Sequence, residues 1–252
     1  MRAQAETLGF VFVFTLILLS VGLAAALGLP GLQDLREDER TNNVERAFDV
    51  LATNVADIYR RDAPGRATEM NLAGGHLTVG NSTELNVSVR NTADPSKNAT
   101  FRMAARPLVY DDGEGTEIAY EHGATMRIER GGMVLLSDPG WLVGDRRIVV
   151  PFVTTRQEGD RSAIGGATVR IATRRRSERL RGAFTTGTDA GDPDANVTVT
   201  VDSPRAAAWQ TYFEERGFTA VDDVPGDGTI IYVRHTDAVY VPETVVDVEL
   251  TR

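Results

Sequence analysis

The residues of this chain that could do chemistry are few and widely spaced. His76, His122 and His235 are its only histidines, and no two lie within a helical turn or a strand step of each other. A zinc site or a catalytic base normally announces itself by closer spacing, as in HExxH. Cysteine is absent, which excludes thiolate ligation, thiol catalysis and disulfides. There is no GxSxG nucleophile elbow, no phosphate-binding P-loop and no dinucleotide fingerprint. Asp189, Asp192 and Asp194 place three hard oxygen donors in six residues. Their spacing is not that of an EF-hand loop, and a solvated Asp/Gly/Pro turn accounts for them. The expectation is a chain with no catalytic residue, no metal ligand and no cofactor.

Two further groups suggest surface chemistry. Arg174, Arg175, Arg176, Arg179 and Arg181 form a basic patch in an otherwise acidic chain. Intramolecular balance of the acidic surface is the leading reading. An acidic neighbour, an anionic glycan and a lipid headgroup are the alternatives. Nucleic acid is not expected, because no aromatics interleave the arginines and the formal charge is −9. Asn81, Asn86, Asn98 and Asn196 each open an Asn-X-Ser/Thr sequon without proline, the acceptor pattern for glycosylation.

The elements that must carry these groups begin with an uncharged run of 22 residues, 8–29. At 1.5 Å per residue such a helix is about 33 Å long, enough for a bilayer core of about 30 Å. The sequence therefore predicts a transmembrane helix over 8–29 after a short leader, 1–7. Gly9, Gly22 and the alanines at 24–26 would permit close helix approach. Arg2 before the run and the acidic residues after it set the expected orientation: a single-pass cell-membrane protein, N-terminus cytoplasmic, C-terminal domain extracellular. Pro30-Gly31 is expected to kink or interrupt the chain. Over 32–61, Val44, Phe48, Leu51, Val55 and Ile58 step by four and three and form one apolar stripe. That stripe is either a seam between subunits or the face by which the helix lies on its own domain.

From residue 68 onward, short alternating segments separated by Gly, Asp and Pro turns predict a β-rich domain, 68–252. Ser203-Pro204 followed by three alanines, with Gly217 as stop, predicts one late helix whose Trp209, Tyr212 and Phe213 cover a sheet face. The fold class expected is mainly β with α: a transmembrane helix continued by an amphipathic helix, then a β-sandwich-like extracytoplasmic domain.

The stretch Arg2-Ala3-Gln4-Ala5-Glu6-Thr7-Leu8-Gly9-Phe10, followed at once by the apolar run, resembles the class III signal of archaeal type IV pilins, archaellins and pilin-like proteins. The resemblance implies that a prepilin-type peptidase cuts between Ala3 and Gln4, with Arg2 as the required basic residue. It implies that Glu6 lies near the new N-terminus and meets a neighbour's amine. It implies that the apolar helix is retained and packs against pilin-like subunits or further copies of itself. Many members carry Gly where this chain has Ala3, and a longer basic leader; the familiar bacterial pattern has Glu at the fifth mature position, where Glu6 would be the third. Lys97 is the only lysine, against 26 arginines, and 36 acidic residues exceed 27 basic ones. That balance suits a protein of concentrated salt, where net charge is screened. The expected function is a pilin-like, non-enzymatic surface subunit assembling in or on the bilayer through its N-terminal helix. The alternative is a membrane-anchored surface binding protein that forms no filament.

Overall fold

The computed structural model describes residues 2–92, 94, 96–166, 168–185, 195–222 and 228–252, and the side chains of all of these except 2–8, 25–38 and 222. Two compact units divide it, Met1–Asn43 and Val44–Arg252.

A single helix, α1, runs Arg2–Arg60. Pro30 and Gly31 fall within it, so the two helices expected on either side of them are one. Proline's fixed φ is compatible with the helix even though its ring removes a hydrogen bond. In the first unit, side chains are described over residues 9–24 and 39–43. There the expected transmembrane helix is corrected: among the described residues no helix is long and apolar enough to cross a membrane. Leu8 and residues 25–29, which completed the expected span, lie outside the described side chains. The single-pass cell-membrane localisation, with its cytoplasmic N-terminus and extracellular domain, rested on that span and is corrected with it.

In the second unit α1 contributes the stripe Val44, Phe48, Leu51, Val55 and Ile58, each with no exposed surface. Burial of every third or fourth residue is what holds this part of the helix, since its interior partners are apolar strand residues. Of the two readings of the stripe, the helix lies on its own domain.

The rest is a mixed, β-rich fold in three sheets rather than a two-sheet sandwich. The first sheet orders β1 (Gly65–Asn71), β13 (Thr168–Thr185), β17 (Ala238–Thr251), β10 (Arg147–Val149) and β9 (Leu142–Val143), and β11 (Phe152–Gln157) also pairs β17. β10 and β11 run parallel to β17, and β13 runs antiparallel to it with irregularities between Arg175 and Ser177 and between Leu180 and Gly182. The second sheet orders β12 (Ala163–Gly165), β2 (His76–Val79), β5 (Leu108–Asp111), β6 (Thr116–Glu121), β7 (Ala124–Glu129) and β8 (Gly132–Ser137). The third orders β15 (Thr219–Asp222), β16 (Thr229–Thr236), β14 (Ala195–Asp202), β3 (Thr83–Asn91) and β4 (Asn98–Ala105).

Strict alternation in β3 and β14 sends Leu85, Val87, Val89, Val197, Val199 and Val201 inward and polar residues outward. A short 3₁₀ turn, Ala206–Trp209, leads into α2 (Gln210–Glu215). Ser203 Oγ accepts the Arg205 N–H at 3.0 Å at its start. At its end Gly217 takes φ +72°, and the Phe218 N–H reaches Phe213 O at 2.9 Å. That six-to-one bond closes the helix, and the left-handed residue it needs is glycine. Trp209 and Phe213 are fully buried against the third sheet's Tyr232 and Ile230. A second apolar cluster joins the α1 stripe to Val169, Ile171 and Val248 of the first sheet and Leu77, Tyr110 and Ile118 of the second.

Candidate functional site

A buried polar group sits at the β6–β7 hairpin. Its two-residue loop is His122-Gly123, at φ +50° and +89°, the left-handed pair a tight hairpin requires. Both Glu121 and His122 have no exposed surface. His122 Nε2 lies 3.1 Å from Thr83 Oγ1. Burial pushes its imidazole down to about 3, so the ring is neutral under ordinary conditions. Glu121 Oε2 accepts from Ser203 Oγ at 3.0 Å and from Arg205 Nη1 at 3.3 Å, while Arg205 Nε donates to Glu117. Burial raises the Glu121 carboxyl, and Arg205 and Ser203 oppose that rise. Ser, His and Glu are thus close together, but not as a nucleophile relay. The serine donates to the carboxylate and the histidine faces a threonine, whereas a relay needs the histidine to take the serine's proton. The arrangement fastens the hairpin to β3 and to the lead-in of α2. In the sequence, Glu121-His122-Gly123 reads only as a turn.

The basic patch lies in the long strand β13, and each of its five arginines has an acidic partner within the domain. Arg174 meets Glu158 at 3.5 Å and Glu249 at 3.8 Å. Arg175 meets Asp62 and Glu178. Arg176 meets Asp247 at 3.1 Å, and Arg179 and Arg181 meet Glu243 at 2.6 Å and 3.4 Å. Glu243 and Asp247 are buried on β17, so these arginines neutralise carboxylates that the sheet has taken out of water. A different group of arginines is gathered by the tertiary structure. Arg146, Arg147 and Arg216 border an open groove of about 640 Å³ whose apolar lining includes Trp141, Leu142 and Val143. Arg216 comes from just beyond α2, Arg146 from the β9–β10 turn and Arg147 from the start of β10, a convergence no local pattern could reveal.

Among the other predicted sites, Arg2, Ala3, Gln4 and Glu6 lie within the helical backbone of α1, but their side chains are outside the described residues. Asp189, Asp192 and Asp194 lie outside the described residues altogether. Among the described residues no group of three His, Asp or Glu is placed to hold a metal ion. Gly9 and Gly22 face open space, with nothing within 4 Å of where a Cβ would stand. Around them the helix is apolar on all sides: eleven large hydrophobic side chains between Phe10 and Leu23 are each more than half exposed, up to 72% at Phe12.

A family model covers residues 2–250, the apolar helix and the β-rich unit together. The chain belongs to DUF7289, a family of unknown function. No curated protein and no solved structure matches it.

The family match runs across all four sequons. Asn81 and Asn98 are exposed, and Asn86 and Asn196 are half-buried on the outer face of the third sheet. The strand register brings three of these motifs together. Thr198 of the Asn196 sequon pairs with Ser88 of the Asn86 sequon, which in turn pairs with Thr100 of the Asn98 sequon. Ser88 Oγ and Thr100 Oγ1 lie 3.2 Å apart.

Proposed function

We propose that this protein is a structural subunit that assembles with like subunits by burying its N-terminal apolar helix in a shared helical core, in the manner of the pilin-like proteins its N-terminus resembles. The observation that carries this reading is the helix surface over residues 9–24. Its only polar side chains, Thr15 and Ser20, return their hydroxyls to the helix's own carbonyls, at 2.7 Å to Val11 O and 2.9 Å to Ile17 O. Nothing on this surface asks for water. Covering a large apolar side chain is worth about 1.5–3 kcal/mol. Eleven of them amount to on the order of 20 kcal/mol, more than the net stability of a typical domain. A surface of that size has to be covered.

Like helices fit it. Gly9 and Gly22 lie about 140° apart around an α-helix, so close neighbours are admitted on two sides, as a bundle requires. Processing between Ala3 and Gln4 by a prepilin-type peptidase belongs to the same reading.

The chain has no cysteine, so Gly22→Cys introduces a unique thiol. Mild oxidation of the full chain in its native cells should give disulfide-linked dimers, and the protein should travel with sheared surface filaments. Intact mass should show a chain beginning at Gln4. A variant that stays wholly monomeric while filaments form, with its helix covered by lipid alone, would sink the proposal.

A further inference from the structure

We propose that the groove beside β9 is a docking site for an extended acidic polypeptide, which adds as a strand to the free edge of the first sheet. This inference stands independently of how the N-terminal helix is covered. β9 ends the sheet order, so its outer side has no strand neighbour among the described residues. Such an edge presents main-chain donors and acceptors at strand spacing, the pattern a second polypeptide backbone matches. The two faces of β9 differ. Val143 packs toward the core, while Leu142 is 68% exposed. An added strand, alternating every residue, would extend the apolar inner face with one set of side chains and present the other set outward.

The charge of the groove selects that second set. Arg146, Arg147 and Arg216 border it. Among the described residues Arg147 has no carboxylate partner. The other two hold theirs in solvent-exposed pairs, Arg146 with Asp237 at 3.0 Å and Arg216 with Asp138. Exposed pairs of this kind are worth about 0–1 kcal/mol, so an incoming carboxylate can compete for them. Trp141 also lines the groove; it is buried, and its Nε1 has no hydrogen-bond partner. A glycan is disfavoured as occupant because sugar rings stack on open aromatic faces, and the Trp141 ring is packed against Trp209, Tyr212 and Phe213.

The test uses the full chain in mild detergent and a synthetic peptide of alternating valine and aspartate, followed by calorimetry and hydrogen exchange. Binding should slow exchange of the Val143 amide, which points away from β10 because the Gly144 N–H points toward it, and should weaken as salt is raised. Arg147→Glu should reduce affinity at least about tenfold, and Arg147→Lys should retain most of it; both are surface changes, and unchanged circular dichroism would show that the fold is intact. The proposal is overturned if the acidic peptide does not bind, if an alternating valine–lysine peptide binds as well, or if Arg147→Glu has no effect. It is equally overturned if oligogalacturonate binds in place of the peptide.

Discussion

His122 should make the second unit acid-sensitive in a range where most carboxylates do not titrate. Its imidazole is at about 3 in the folded protein against 6.5 for the free group, and the cause is burial alone. The folded value is depressed, so the folded protein refuses a proton that the unfolded chain accepts. Stability is therefore full above 6.5 and is lost as pH falls, until the folded value is reached. At 1.36 kcal/mol per unit the whole loss is about 5 kcal/mol. Between about pH 7.5 and about pH 5 the share from this one residue is about 2 kcal/mol. Glu121 works in the opposite sense, because its carboxyl is raised and its penalty is relieved as pH falls. A comparison of two variants at each pH cancels that contribution.

His122→Asn is the variant to use. Asparagine tolerates the φ of +50° at this position, and Asn-Gly is the favoured hairpin pair. It is shorter than the imidazole and gives up the Nε2 contact with Thr83, which changes the offset between the two proteins at every pH, but it carries no titrating proton. Urea unfolding of the full chain would be followed by tryptophan fluorescence, at constant salt and several pH values. Trp209, whose ring lies 6.5 Å from His122, reports the same part of the core. The variant should lose about 2 kcal/mol less than the parent on going to pH 5. Parallel pH dependences would refute the reasoning, whatever the offset between them.

Three other outcomes follow from the packing. Arg205→Met leaves the Glu121 carboxylate buried with only the hydroxyls of Ser203 and Thr83 to hold it, and should destabilise by about 3–5 kcal/mol in denaturant titration; a loss below about 1 kcal/mol would mean that Glu121 is already protonated. Phe48→Ala removes a fully buried ring where α1 meets the sheets, and should lower stability by about 3–5 kcal/mol. Arg174→Gln breaks only exposed pairs with Glu158 and Glu249. It should shift the denaturation midpoint by no more than about 1 kcal/mol, with the difference vanishing in high salt.

Some of this was legible before any coordinates. The step of four and three through Val44, Phe48, Leu51, Val55 and Ile58 is a helical stripe on paper. The period-two alternation of 84–90 and 196–201 is a pair of half-buried strands, and Ser203-Pro204 with Gly217 brackets a helix. Each of these signals lies within a few residues, because backbone geometry fixes which neighbours share a face. Other expectations were misplaced. The breaks in alternation were one: the stretches 168–174 and 180–185, which the arginine cluster separates, are one strand, β13. Two irregularities absorb the interruption, and the partners that keep the arginines in the sheet lie far away on β17. The expected transmembrane span over 8–29 was another, since among the described residues no helix is long and apolar enough to cross a membrane.

The sequence by itself determined the apolar N-terminal helix, the absence of thiol chemistry, the acidic arginine-biased surface and the local alternation of the strands. It also left two uses open for the stripe at 44–58. Tertiary structure decided between them by covering that stripe with residues from two sheets. It also made Glu121-His122-Gly123 a buried fastener, paired off the arginines of β13, aligned three sequons across β4, β3 and β14, and drew Arg216 beside Arg146 and Arg147. The physical reason is one of range. Propensity and periodicity act over a turn of helix or a few strand residues. Burial, charge neutralisation and strand register are set by residues brought together from tens to hundreds of positions away, and those partners exist only once the sheets have paired.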